Sequence, residues 1–262
     1  MAFFILTLRT VLRDRIFFII FSLILVFCFV PVFSSFSMRQ AQEVSITMSL
    51  AFNSFIMLFL SLFGGVSTIW RDIERKYTYT LLSYPVKRTS YLVGRYLGFA
   101  FIMLVISLLN LLVSAVVIKI SAGMYKSQLP IMWHNIFIAN IFAYLKYCLL
   151  MAFGFLFSTF STSFFTPFFA TISIFIMGNA SQGIYDYIMK NTADTISPII
   201  KKLIVIIYYI IPNFSAFDYT VYAAYSMPIK INSIFMSFGY WGLYLIIVMM
   251  FTIFIFNKRD FM

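Results

Sequence analysis

Six runs of mostly apolar residues, none holding an Asp or a Glu, constrain what this chain can fold into: 16–36, 46–69, 96–118, 136–157, 164–178 and 235–256. A helix that crosses a bilayer needs about 20 such residues at 1.5 Å of rise each. A water-soluble domain carries about a quarter charged residues, because its surface must face water. Here 10% of the residues are charged and 63% are hydrophobic, so most of the surface must face lipid. The expected fold class is all-α integral membrane: six transmembrane helices forming a single domain over 1–262.

The connections add detail. Within 1–15, Phe4, Ile5, Leu8, Val11 and Leu12 follow helical spacing, and Arg9 and Arg13 share the opposite face. That pattern predicts an amphipathic helix lying in the interface rather than a cleaved signal, whose basic residues would precede its apolar run. Pro31 is expected to bend or loosen the far end of span one. Ser158 to Ser163 reads as a tight turn between antiparallel helices. An outer connector then fills 179–234. Its apolar stretch Leu203–Ile211 is too short to cross about 30 Å and reads as a helix dipping into the outer interface, or else as a re-entrant element. Tyr208, Tyr209, Tyr219, Tyr222 and Tyr225 suit a headgroup-level layer.

Orientation follows from Lys and Arg. Of the 19, eleven fall on one side (Arg9, Arg13, Arg15, Arg71, Arg75, Lys76, Lys87, Arg88, Arg95, Lys258 and Arg259), close to helix ends. That side is expected to be cytoplasmic, with both termini inside. The net charge of +11 is scattered between apolar spans and does not form a nucleic-acid interface. It matches helix ends that meet anionic headgroups.

Catalytic chemistry is missing. No Gly-rich phosphate loop is present, the single His134 has neither a second histidine nor a nearby carboxylate, and Cys28 and Cys148 lie inside apolar runs as small buried hydrophobes. The spans hold no acid for ion coupling; Lys146 is their one charge, expected to snorkel outward. Asn53, Asn110, Asn140 and Asn179 are expected to bond between helices, and Gly94-x-x-x-Gly98 to allow close helix packing. The fifteen methionines are read as gap fillers, not a metal store.

The most informative stretch is 70–95, the most polar part of the chain. From Arg71 to Ser83 it is able to form a helix, with Asp72 and Glu74 in the first turn, where the helix dipole favours acids. Ile73, Tyr77, Leu81 and Tyr84 repeat on one face, Pro85 stops it, and Lys87 and Arg88 follow. Glu74, Arg75, Leu81, Leu82, Ser83, Pro85, Val86, Arg88, Gly94 and Arg95 resemble the cytoplasmic segment after the second span in permease subunits of ABC-2-type ABC transporters. Tyr77 stands where Thr is commoner, with Thr78 one place later. The N-terminal amphipathic helix resembles that family's elbow helix. Ile211-Pro212-Asn213-Phe214 with Phe217-Asp218 resembles its outer segment, and Phe256 to Phe261 its usual ending.

The resemblance implies the membrane half of an ATP-driven transporter, with export favoured over import. Two permease chains, identical or related, would pair in a bacterial inner membrane, and each would bind a separate cytoplasmic ATPase that holds the ATP and Mg. This chain would carry no catalytic, cofactor or metal site. Arg71, Asp72, Ile73, Glu74, Arg75, Tyr77, Leu81, Pro85 and Arg88 would form the coupling interface, the segment 71–84 being the coupling helix. Charge reversal at Asp72 and Glu74 together would then uncouple transport and leave insertion intact. An ATPase-independent secondary carrier, a membrane-embedded enzyme and a structural membrane subunit are the rivals, and co-purification with an ATPase separates them from the first reading.

Overall fold

The computed structural model describes residues 3–7, 22, 26, 29–37, 40–74, 88–125, 127, 129–191 and 198–258. Residues 3–7 are helical and are followed, among the described residues, by α1 (Val30–Ser35), α2 (Ala41–Phe59), a π-helical stretch (Leu60–Val66) and α3 (Ser67–Glu74). Then come α4 (Arg88–Met124), α5 (Trp133–Phe160), α6 (Phe165–Asn191), α7 (Pro198–Ile210), a 3-10 turn (Phe214–Phe217), α8 (Thr220–Ala224) and α9 (Ile231–Lys258). No strand occurs among the described residues.

Among the described residues, four helices are long and apolar enough to cross a membrane: Ala41–Asp72, Arg88–Met124, Trp133–Phe160 and Ile231–Lys258. Residues 201–210 and 214–224 form a pair bent by 47° that would make a fifth if it is one broken span. The four correspond to expected spans two, three, four and six. The 37 residues of α4 reach about 55 Å, beyond the ~30 Å hydrocarbon core, so α4 tilts or projects from the bilayer. Most of expected span one, 16–36, lies outside the described residues. At its far end Pro31 sits in the first turn of α1, where a missing N–H costs nothing because first-turn N–H groups have no helical acceptor.

Expected span five ends too early. The helix does not stop at Gly178 but continues as α6 to Asn191, so the connector expected over 179–234 starts later. The expected connector begins at Asn179, yet the polar side chains there find partners within the fold. Asn179 Nδ2 donates back to the Phe175 carbonyl (2.7 Å), its Oδ1 accepts from Lys146 (2.7 Å), and Gln182 Oε1 accepts from Tyr208 (2.9 Å) and Asn213 (2.6 Å). With those polar groups satisfied, helix geometry costs less than breaking it. This polarity also keeps α6, at 27 residues, out of the set of most apolar helices.

One core joins α2, α4, α5, α9 and the segment after Pro212, with Phe99, Phe155, Phe214 and Phe256 fully enclosed. The outer faces are apolar too. On α4, Leu97, Phe101, Val105, Leu108, Leu112 and Val116 form an exposed stripe at helical spacing. A soluble monomer does not present such faces; a bilayer or a second chain covers them. Inside, polar side chains pair between helices as expected. Asn110 Nδ2 donates to Asn53 Oδ1 (3.2 Å), Asn140 Nδ2 to Ser107 Oγ (2.9 Å) and Ser34 Oγ to Ser121 Oγ (3.1 Å). Each such bond contributes about 0.6 kcal/mol, rarely above ~2.

Candidate functional site

The Gly94-x-x-x-Gly98 pair packs closely, and its neighbour is the N-terminal helical piece. A Cβ on Gly94 would lie 2.9 Å from Phe3 Cβ, and one on Gly98 would lie 2.8 Å from Thr7 Cβ. Small residues at that spacing let backbones approach, and residues 3–7 settle there against the first turns of α4. Thr7, fully enclosed, donates to the Phe3 carbonyl (2.8 Å) and accepts from Arg95 Nη1 (3.4 Å).

Arg95 is 3% exposed and Asp72 8%. Arg95 Nη2 donates to Asp72 Oδ2 in a salt bridge, and the Tyr91 hydroxyl donates to the same oxygen. A charge buried this deeply persists only when paired and hydrogen-bonded, and each partner supplies that for the other. Tyr91 is sandwiched: Phe3 meets it edge-on at 5.5 Å between centroids, and Phe256 of α9 stacks on it at 6.0 Å. Nearby, Arg88 Nη1 donates to the Asn257 carbonyl (3.1 Å), where cations meet the negative end of the α9 dipole. Residues 3–7, α3, the start of α4 and the end of α9 thus converge on one buried ion pair.

This cluster brackets the segment 75–87 in sequence, with α3 ending at Glu74 and α4 beginning at Arg88. Of the expected interface residues, Arg71 and Glu74 are exposed and Arg88 is half-buried. Ile73 occupies a helical position in α3. Arg75, Tyr77, Leu81 and Pro85 lie outside the described residues, as do 8–15 of the expected elbow helix and the ending 259–261. Two expectations change. Asp72 does not present its carboxylate outward; it is turned inward to Arg95. Nor do Asp72 and Glu74 open a new helix at Arg71, because helix runs without interruption for 32 residues from Ala41 to Asp72. No Gly or Pro lies between Val66 and Glu74 to break it, and Arg95 neutralises the acid within it.

Past the middle of this rod, about two-thirds of the way to Asp72, the helix widens at Leu60–Val66 into π geometry, which is frequent at functional sites. A Cβ on Gly64 would fall 2.1 Å from Phe99 Cζ, and one on Gly65 would fall 2.6 Å from Met151 Cγ. Ser158 Oγ of α5 reaches the Val66 carbonyl (3.3 Å). The wide turn is therefore clasped by α4 and α5, just above the ion pair.

Nothing in the sequence marks Tyr91, Thr7, Phe3 and Phe256 as site residues, and Arg95 enters it only as one of the basic residues on the expected cytoplasmic side and as a motif match. The legible signal was the opposite charge of Asp72 and Arg95 on either side of one connecting segment. Among the described residues no group of His, Cys, Asp and Glu could hold a metal ion. The model of the family described as ABC-2 family transporter protein matches residues 1–261 of the chain. No curated protein matches it.

Proposed function

The chain belongs to the ABC-2 transporter family and is a multi-pass membrane permease of an ABC transporter, and from that premise we propose that it takes its power stroke through the 71–84 segment from a separate ATPase. In this reading ATP and Mg bind the partner, a second permease chain completes the pathway, both termini are cytoplasmic, six spans cross a bacterial inner membrane, and the direction is export. The observation that carries it is the buried Asp72–Arg95 pair. It ties the two helices that flank 75–87 to each other and to residues 3–7. A displacement of that segment by a nucleotide-driven partner would move α3 and α4 together, and the π turn offers a place for the rod to flex. Such a two-state element, biased by a ligand on another chain, is what coupling requires. Arg71 and Glu74 then contact the ATPase, and Asp72 holds them in place from behind.

Affinity capture of the tagged full-length chain from its own host membranes is expected to bring down one nucleotide-binding ATPase. The chain alone is expected to hydrolyse no ATP. The double variant Arg71→Glu/Glu74→Lys is expected to insert normally and retain less than about a tenth of the ATPase, as lost interfacial charge pairs commonly cost ~2 kcal/mol or more. Capture of no ATPase, or hydrolysis by the clean lone chain, would overturn the reading.

A further inference from the structure

Lys146 turns toward a neighbouring helix of the fold. It is the fourteenth of the 28 residues of α5, about 20 Å from either end, beyond the reach of a lysine side chain. Instead its Nζ donates to Asn179 Oδ1 at 2.7 Å, with the rings of Tyr147 and Phe175 at 5.7 and 5.5 Å. Neither contact is anionic. A cation at that depth whose direct contacts are all uncharged is expensive, and such residues mark ligand and ion pathways.

Lys146 also lines a cavity of about 360 Å³ between α2, α5 and the segment 217–221. Ala51, Ala139 and Ala143 leave the room, and Thr47 and Ser54 add hydroxyls. On the wall contributed by the 217–221 segment stands Asp218, exposed, its Oδ1 accepting from the Thr220 N–H (3.0 Å). No ion pair within 4 Å joins it to Lys146 among the described residues. One cavity thus presents a positive charge and a separate negative charge among apolar walls. Its volume lies at the small end of ligand pockets, which run from about 300 to 1,000 Å³.

We propose that this cavity binds a zwitterionic group, its phosphate or carboxylate on Lys146 and its ammonium on Asp218. A lipid head group with its tail over the apolar exterior, or a free small zwitterion, satisfies the same chemistry. The site belongs to this chain alone, so its occupancy is measurable without any ATPase and stands or falls separately from the coupling assignment.

The full-length chain in maltoside micelles is titrated with lysophosphatidylethanolamine, with lysophosphatidylglycerol of the same tail, and with tail-free glycerophosphoethanolamine, and bound ligand is counted by native mass spectrometry. Lysophosphatidylethanolamine is expected to bind one per chain and more tightly than lysophosphatidylglycerol. Lys146→Met is expected to weaken it about tenfold or more, the loss of a charge-assisted hydrogen bond, and Lys146→Arg to restore most of the affinity. Asp218→Asn, at an exposed position that leaves folding intact, is expected to weaken the ethanolamine lipid severalfold and to spare the glycerol lipid. Binding of the tail-free compound identifies a free zwitterion as sufficient; binding of the lipid alone identifies an amphiphile. Equal affinity for the two lipids, or Asp218→Asn without effect on either, would overturn the proposal.

Discussion

Asp72→Asn is expected to destabilise the folded chain by about 3–5 kcal/mol, the cost of leaving a buried charge without its partner. The guanidinium of Arg95, 3% exposed, would face a neutral amide in place of a carboxylate, with the Thr7 hydroxyl and the Tyr91 ring as its other described side-chain contacts, and its Nε has no hydrogen-bond partner among the described residues. Arg95→Met is expected to cost a comparable amount, because the buried Asp72 carboxylate would lose its guanidinium partner. Removing both charges together, as Asp72→Leu/Arg95→Met, is expected to recover most of the loss, since apolar side chains of similar volume replace a buried pair at little net cost. Thermal unfolding midpoints in one detergent give the cycle. The double variant also separates two roles. If the pair only stabilises, a refolded double variant transports normally. If it also holds α3 to α4 for coupling, that variant stays folded, keeps its ATPase and transports little. The second outcome is the expected one.

Gly178→Ala and Gly183→Ala are expected to change stability in opposite directions on one helix. Intrinsic propensity favours Ala over Gly by about 1 kcal/mol in a helix interior, and at Gly183 a Cβ meets nothing within 4 Å. That variant is expected to be neutral or stabilised by up to ~1 kcal/mol. At Gly178 the same Cβ would lie 2.6 Å from the Pro212 carbonyl oxygen and 2.5 Å from Phe214 Cδ2. The first is backbone and the second belongs to a fully buried ring, so neither yields cheaply. Overpacking of this kind costs about 1–3 kcal/mol, which outweighs the propensity gain and lowers the unfolding midpoint. The pair of midpoints therefore tests whether the segment after Pro212 docks on α6, where it also helps form the wall of the Lys146 cavity.

Apolar run length was enough to place α2, α4, α5 and α9, because a bilayer imposes that length directly. It misjudged α6, whose Asn179 and Gln182 look like a helix end until Lys146, Tyr208 and Asn213 arrive as partners from elsewhere in the chain. The same blindness affected the site. The family resemblance put Asp72 on a partner-facing segment, and helical periodicity says which residues share a face but not which distant side chain occupies it. Arg95, 23 residues on, decides that Asp72 faces inward. The Gly94-x-x-x-Gly98 spacing announced a close contact, yet only the fold identifies Phe3 and Thr7 as its occupants. Lys146 was visible as a lone intramembrane charge; the cavity beside it depends on three alanines and on Asp218 from a remote segment, which no local pattern links.

Cysteine cross-linking tests the coupling assignment most directly. Glu74→Cys, exposed at the end of α3, and Met124→Cys, exposed at the far end of α4, are each placed in the full-length chain, labelled with a maleimide–benzophenone and irradiated in membranes, where the benzophenone inserts into C–H bonds of whatever chain lies beside it. A cross-link from position 74 to the nucleotide-binding ATPase, changing in yield on ATP addition and absent from position 124, is the predicted result. An ATPase that co-purifies with the chain yet cross-links from position 124 and not from position 74 would contradict the account.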